Sequence, residues 1–149
     1  MKHWLVIAAA LALTPVAAHS EESGPRIEKA WARATPGQAT TGAAYLTIET
    51  TQPDRLVGAS TPVAARAELH AHENDHGVMR MHPVDGVAVQ PGAPTVLKPG
   101  GVHVMLLQLK HSLKQGETFP LTLRFEKAGD RKVTVEVEKP GAAGPRHGS

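Results

Sequence analysis

At 149 residues the chain is long enough for one domain with its own hydrophobic core, and an apolar share of 41% sets it apart from disordered chains. A formal net charge of +2 supplies no basic stripe, so no nucleic-acid partner is expected. Cysteine is absent, so stability rests on the core without disulfides. A blue-copper electron-transfer centre, which needs a Cys thiolate, is excluded for this chain alone.

The first element in chain order is "MKHWLVIAAALALTPVAAHS". Lys2 forms a short basic region, an apolar run extends from Trp4 to Leu13, and small residues follow at Val16, Ala17 and Ala18. That is the layout of a secretory signal peptide over residues 1–20, with cleavage near 18–20. The run is too short for a membrane-spanning helix. The mature chain is expected in a periplasm, monomeric and without stable membrane insertion.

The body reads as short strands split by Pro, Gly and Asn/Asp breakers: Arg26 to Arg33, Thr40 to Glu49, Arg55 to Ala59, Val63 to His72, Gly77 to Pro83, Gly86 to Gln90, Pro94 to Gly100, Val102 to Leu109, Thr118 to Glu126 and Lys132 to Glu138. In the last of these, Val133, Val135 and Val137 alternate with polar residues, the period of a half-buried strand. Turn signals at intervals of about eight to twelve residues predict a single all-β domain over 26–138, a sandwich or a barrel. The Gly/Pro/Ala-rich segment 139–149 is expected to be a disordered tail.

The stretch "HENDHGVMRMHP" (His72 to Pro83) concentrates three histidines and two of the four methionines. Strand side chains alternate between faces. His70 and His72 therefore share a face opposite Leu69, Met79 and Met81 share a face opposite Arg80 and His82, and His103 shares one with Met105. A His-x-Met pair presents its two donors about 6.5–7 Å apart, within reach of one ion. Thioether sulfur selects Cu(I), imidazole accepts copper, zinc or nickel, and carboxylates suit hard ions. Two His with one or two Met thus point to Cu(I), whereas zinc more often draws on Cys, His or Asp/Glu.

The spacing His70-x(10)-Met81-x(21)-His103-x-Met105 resembles the pattern of the periplasmic copper chaperones of the PCu(A)C family. The neighbouring segments are also similar: "AWARATPG", "GAAYLTI", "DRLVGAS", "GVMRMHPV", "LKPGGVHVMLLQLKH" and "FPLTLRFE". The resemblance implies a cupredoxin-like Greek-key β-sandwich. It implies His70, Met81, His103 and Met105 as Cu(I) ligands near solvent. It also implies delivery to a copper-accepting protein, the binuclear centre of cytochrome c oxidase or a Sco-type protein.

One departure is His82 after Met81, which with His72 and His76 enriches the rim in imidazole. These three are read as solvated loop histidines that form, at most, a weaker Cu(II) site helped by His147. Met79 is open between a neighbour of the site and a substitute ligand. Taken alone, Met105 would be core filling. No paired carboxylates, phosphate loop or nucleophile elbow stand out, so no enzyme is expected. The alternatives are a metal-dependent enzyme or copper-storage protein on the same cluster, and an interaction module in which the cluster is incidental.

Overall fold

A computed structural model describes residues 24–146. The expected signal peptide and His147 lie outside the described residues. Ten strands carry the fold: β1 (Arg26–Arg33), β2 (Thr41–Glu49), β3 (Asp54–Ser60), β4 (Ala64–Asp75), β5 (Val78–Pro83), β6 (Val87–Val89), β7 (Thr95–Leu97), β8 (His103–Leu109), β9 (Thr118–Phe125) and β10 (Gly129–Glu138). Among the described residues there is no helix.

The strands pair in the order β5-β4-β8-β2-β1-β10-β9-β3-β6, and β7 pairs with β2. Ala59 of β3 pairs with Ala67 of β4, which closes the sheet into a flattened barrel. The fold is thus a single all-β domain, a closed barrel or sandwich. The connections cross: β8 lies between β4 and β2, and β1 runs parallel to β10 with Trp31 opposite Glu136.

Strand β9 shows why these residues form this barrel. Phe119, Leu121, Leu123 and Phe125 alternate inward while Thr118, Pro120 and Arg124 stay exposed. The alternation buries one side of the pleat. Val135 and Val137 of β10, Val104 and Leu106 of β8, Leu69 of β4 and Leu46 and Ile48 of β2 complete the core from the other strands. From Arg66 on, the even-numbered residues of β4, and from His103 to Leu107 the odd-numbered residues of β8, consequently face outward.

A second, small apolar cluster lies on that outer face. A register shift between Glu28 and Trp31 in β1, with Lys29 in the left-handed region, resets the alternation and places Trp31 opposite Tyr45. The two rings lie 4.6 Å apart. Ala142 is buried against them, and the Arg33 Nε–H donates to the Ala142 carbonyl at 2.7 Å. The Arg146 Nε–H donates to the Glu138 carboxylate at 3.0 Å, and Glu138 is itself buried.

Residues 140–146 of the expected tail are thus seated against the barrel. The Gly/Pro composition suppresses regular structure, but an apolar seat and two arginine contacts hold the segment down. Truncation after Glu138 should cost about 1–3 kcal/mol, because the buried carboxylate loses its partner. Urea unfolding would measure this, and emission from the uncovered Trp31 should shift to the red.

Candidate metal centre

The outward face of β4, β5 and β8 carries the candidate site. His70 pairs with His103 across β4 and β8, and Glu68 pairs with Met105 in the same ladder. His72 pairs with Met81, and His70 with Pro83, across β4 and β5. Directly opposed residues share a face. His70, Met81, His103 and Met105 therefore lie on one side of the barrel, in three adjacent rows. The His70–His103 pair forms the central row. Met105 occupies the row on one side and Met81 the row on the other.

Parity also places Met105. Its chain neighbours Val104 and Leu106 point into the core, while Met105 is half-buried on the outer face beside Ala43 of β2. Met81 lies on the edge strand β5 and is 44% exposed. Met79, 58% exposed and opposite Asn74, is one row further out toward the hairpin tip.

Hydrogen bonds set the tautomer of each ring. A backbone carbonyl can only accept, so His103 donates its Nδ1–H to the Gly101 oxygen at 3.0 Å. That leaves the Nε2 lone pair of the neutral ring free. His70 presents the opposite edge: its Nε2–H donates to the Glu68 carboxylate at 3.0 Å. Its Nδ1 is buried and has no hydrogen-bond partner among the described residues. A buried ring nitrogen without a partner is costly unless something occupies it. The Glu68–His70 contact is the carboxylate–imidazole pairing that orients metal-bound histidines.

His72 departs from the sequence expectation of a solvated loop residue. Strand β4 runs on to Asp75, and the chain reverses at His76 and Gly77, both at positive φ (52° and 86°). This is the backbone signature of a tight type I′ hairpin. His72 is thus a strand residue, half-buried on the site face, and donates its Nδ1–H to the same Gly101 carbonyl at 3.2 Å. His76 at the turn is 98% exposed beside Asp75. His82 lies on the opposite face of β5, with its Nδ1 3.7 Å from Glu73.

The ring centres of His70 and His103 are 6.1 Å apart, and those of His72 and His103 are 5.3 Å apart. Two imidazoles on one first-row metal, at about 2.0–2.1 Å per nitrogen, have centres roughly 5–6 Å apart. The rings are neighbours at that spacing rather than a closed cage: among the described residues no three His, Asp or Glu side chains converge as a metal-holding group. Side-chain rotation and the thioethers have to complete any site here.

His103 is only 3% exposed. Burial lowers its pKa below the ordinary value, the Gly101 hydrogen bond opposes this, and His72 and His70 add to the lowering. The imidazole is thereby kept in the neutral form that a metal requires. The sign for stability follows. Below about pH 6.5 the unfolded chain binds a proton that folded His103 resists. The metal-free protein should therefore lose stability as pH falls from about 6.5 toward the depressed folded-state value. Urea midpoints at neutral and mildly acidic pH would show this, and the difference should shrink in His103→Gln.

The closed all-β domain is similar to PCuAC domains of known structure. Residues 26–137 match the family described as "Putative lipoprotein LpqE-like", and the chain belongs to that family. A protein of Leifsonia xyli subsp. xyli, also named as a lipoprotein, is 30% identical over 145 residues, covering 89% of this chain and 86% of its own length. Among solved structures, the copper-bound PCuAC domain from PmoF2 is 27% identical with a TM-score of 0.65, covering 78% of this chain and 94% of that domain. The apo form of DR1885 from Deinococcus radiodurans is 30% identical with a TM-score of 0.63, covering 95% and 98%. DR1885 is also known in a Cu(I) form, similar to this chain with a TM-score of 0.57 over 83% of this chain and 86% of its own.

Proposed function

We propose that this protein is an exported copper chaperone. It holds one Cu(I) through His70, Met81, His103 and Met105 and passes it to a copper-accepting protein in the periplasm, for assembly of the binuclear copper centre of cytochrome c oxidase. The observation that carries the reading is the central imidazole pair with a thioether row on each side, in which His70 keeps a buried, unpartnered Nδ1. The likeness to a copper-bound PCuAC domain and to a Cu(I)-bound protein supports the choice of metal, and the lipoprotein relatives support export.

The donor set suits a carrier. Soft thioethers favour Cu(I) over Zn(II) and Cu(II). All four ligands are neutral, so the Cu(I) complex keeps a single positive charge and no thiolate has to be reprotonated on release. Met81 on the exposed edge is the ligand that an acceptor's side chain can displace first, while buried His103 anchors the ion to the fold.

The test is anaerobic transfer. Cu(I)-loaded protein is mixed with the metal-free soluble copper domain of an oxidase subunit, and copper in each is measured after separation. Copper should move to the acceptor. Failure of the protein to retain copper against a Cu(I) chelator would refute the metal site. Retention without transfer to that domain or to a Sco-type protein would refute the delivery role.

A further inference from the structure

We infer that residues 140–146 are a displaceable strap over a docking seat formed by Trp31 and Tyr45, and that an extended apolar segment of the copper-accepting protein displaces it. The inference rests on the proposed delivery role and adds to it the surface on which the acceptor docks.

The strap holds little for what it covers. Trp31 and Tyr45 stack at 4.6 Å and are 4% and 5% exposed, and the strap residue packed on them is Ala142. A single methyl gains little from burial, whereas two stacked rings offer a large apolar area. The polar ties are few. The Arg33 Nε–H donates to the Ala142 carbonyl at 2.7 Å, and the Arg146 Nε–H and backbone N–H donate to Glu138 at 3.0 and 3.3 Å. The Arg146 side chain is exposed, so water competes for that pair. No strap residue belongs to a strand. Segments with few buried apolar contacts and no ladder open locally while the rest stays folded.

The seat leads into the metal face. Tyr45 lies 6.2 Å from His103, and His103 lies 6.1 Å from His70, so Trp31, Tyr45, His103 and His70 form one row across β1, β2, β8 and β4. Ala43, packed against the seat, pairs with Met105. Lifting the strap thus opens an apolar surface that reaches the proposed ligands, and an acceptor seated there brings its own donors beside them.

The occupant's chemistry is set by what the strap leaves behind. Arg33, whose guanidinium lies 6.0 Å over the Tyr45 ring, needs a new acceptor, and buried Glu138 needs a new cation. A backbone carbonyl beside a Leu, Met or Phe side chain, followed by a basic residue, meets these needs and covers more of the rings than Ala142 does.

The experiment uses the full chain as wild type, Ala142→Asp, Arg146→Gln and Trp31→Leu/Ala142→Asp, with circular dichroism to establish folding. Hydrogen exchange reads the strap, and calorimetry reads affinity for the metal-free soluble copper domain of an oxidase subunit. In wild type the Ala142 amide should exchange at least about tenfold faster than that of Val137, which is bonded to the Glu117 carbonyl. Ala142→Asp puts a carboxylate against two rings and should hold the strap open, which exchange over 140–146 verifies. A seat open in about 0.1–10% of wild-type molecules weakens docking by that fraction, so Ala142→Asp should bind the domain about 10–1000-fold more tightly. Arg146→Gln should shift the same way by less, and Trp31→Leu should abolish the gain.

A strap that exchanges only together with Val137 overturns the inference. So does unchanged affinity once the strap is open, or a gain that survives Trp31→Leu. Self-association of Ala142→Asp without tighter binding of the domain overturns it by making a second copy the occupant. Copper transfer from wild type with affinity indifferent to the strap overturns this inference and leaves the delivery role standing. Retained copper with no transfer from any variant refutes the delivery role, and this inference with it.

Discussion

Replacing both Met81 and Met105 with alanine should weaken Cu(I) binding by more than about a hundredfold and Cu(II) binding by less than about tenfold. The asymmetry follows from donor chemistry: the variant removes both sulfurs and leaves His70, His72 and His103 in place. Neither methionine belongs to the core, Met81 being exposed and Met105 half-buried on the outer face, so the double variant should fold as wild type does. Competition titrations with a Cu(I) chelator and with a Cu(II) chelator, on the same preparation, measure the two losses. Equal losses for the two ions would mean that the thioethers are not ligands.

Phe125→Ala should destabilise the fold by about 3–5 kcal/mol. Phe125 is among the largest fully buried side chains. It ends β9 where that strand pairs with Leu56 of β3 and Gly129 of β10, so a cavity there loosens three strands together. A small domain has only about 5–15 kcal/mol in hand, so this one change removes a large share. Denaturant unfolding would show the midpoint fall. The residue is in the core, not on the outer face of β4 and β8, so the copper affinity of the folded fraction should not change. A large affinity loss at full folding would mean that the metal face depends on the core in a way the strand ladder does not provide.

The strands were legible because each alternates or ends at a breaker, as β9 and β10 do. The His/Met face was legible because side-chain parity is a local property: His70 and His72, Met79 and Met81, and His103 and Met105 keep their faces whatever the strands pair with. Which face is the core was not local. It is decided by Val104, Leu106 and Leu69 turning inward together. Strand order was not legible either, because the parallel β1–β10 pairing and the β3–β9 pairing of Leu56 with Phe125 join residues far apart in sequence.

The run of β4 beyond His72 was not legible, because Asn74, Asp75 and Gly77 read as a loop. A type I′ hairpin needs only His76 and Gly77 for its turn, so the strand passes through the other breakers. The seat beneath the tail was not legible for a related reason. Its composition is that of a disordered segment, and the seat that orders Ala142 is made by Trp31 and Tyr45, which a bulge in β1 brings together.

In the proposed site, two sulfurs and two nitrogens on one sheet face hold Cu(I). Anaerobic Cu(I) titration combined with X-ray absorption on the loaded protein tests it directly, since it gives stoichiometry and the donor count together. One copper per chain is expected, with two sulfur and two imidazole nitrogen neighbours. A Cu(I) shell of nitrogen and oxygen without sulfur, or no retained copper, would contradict it.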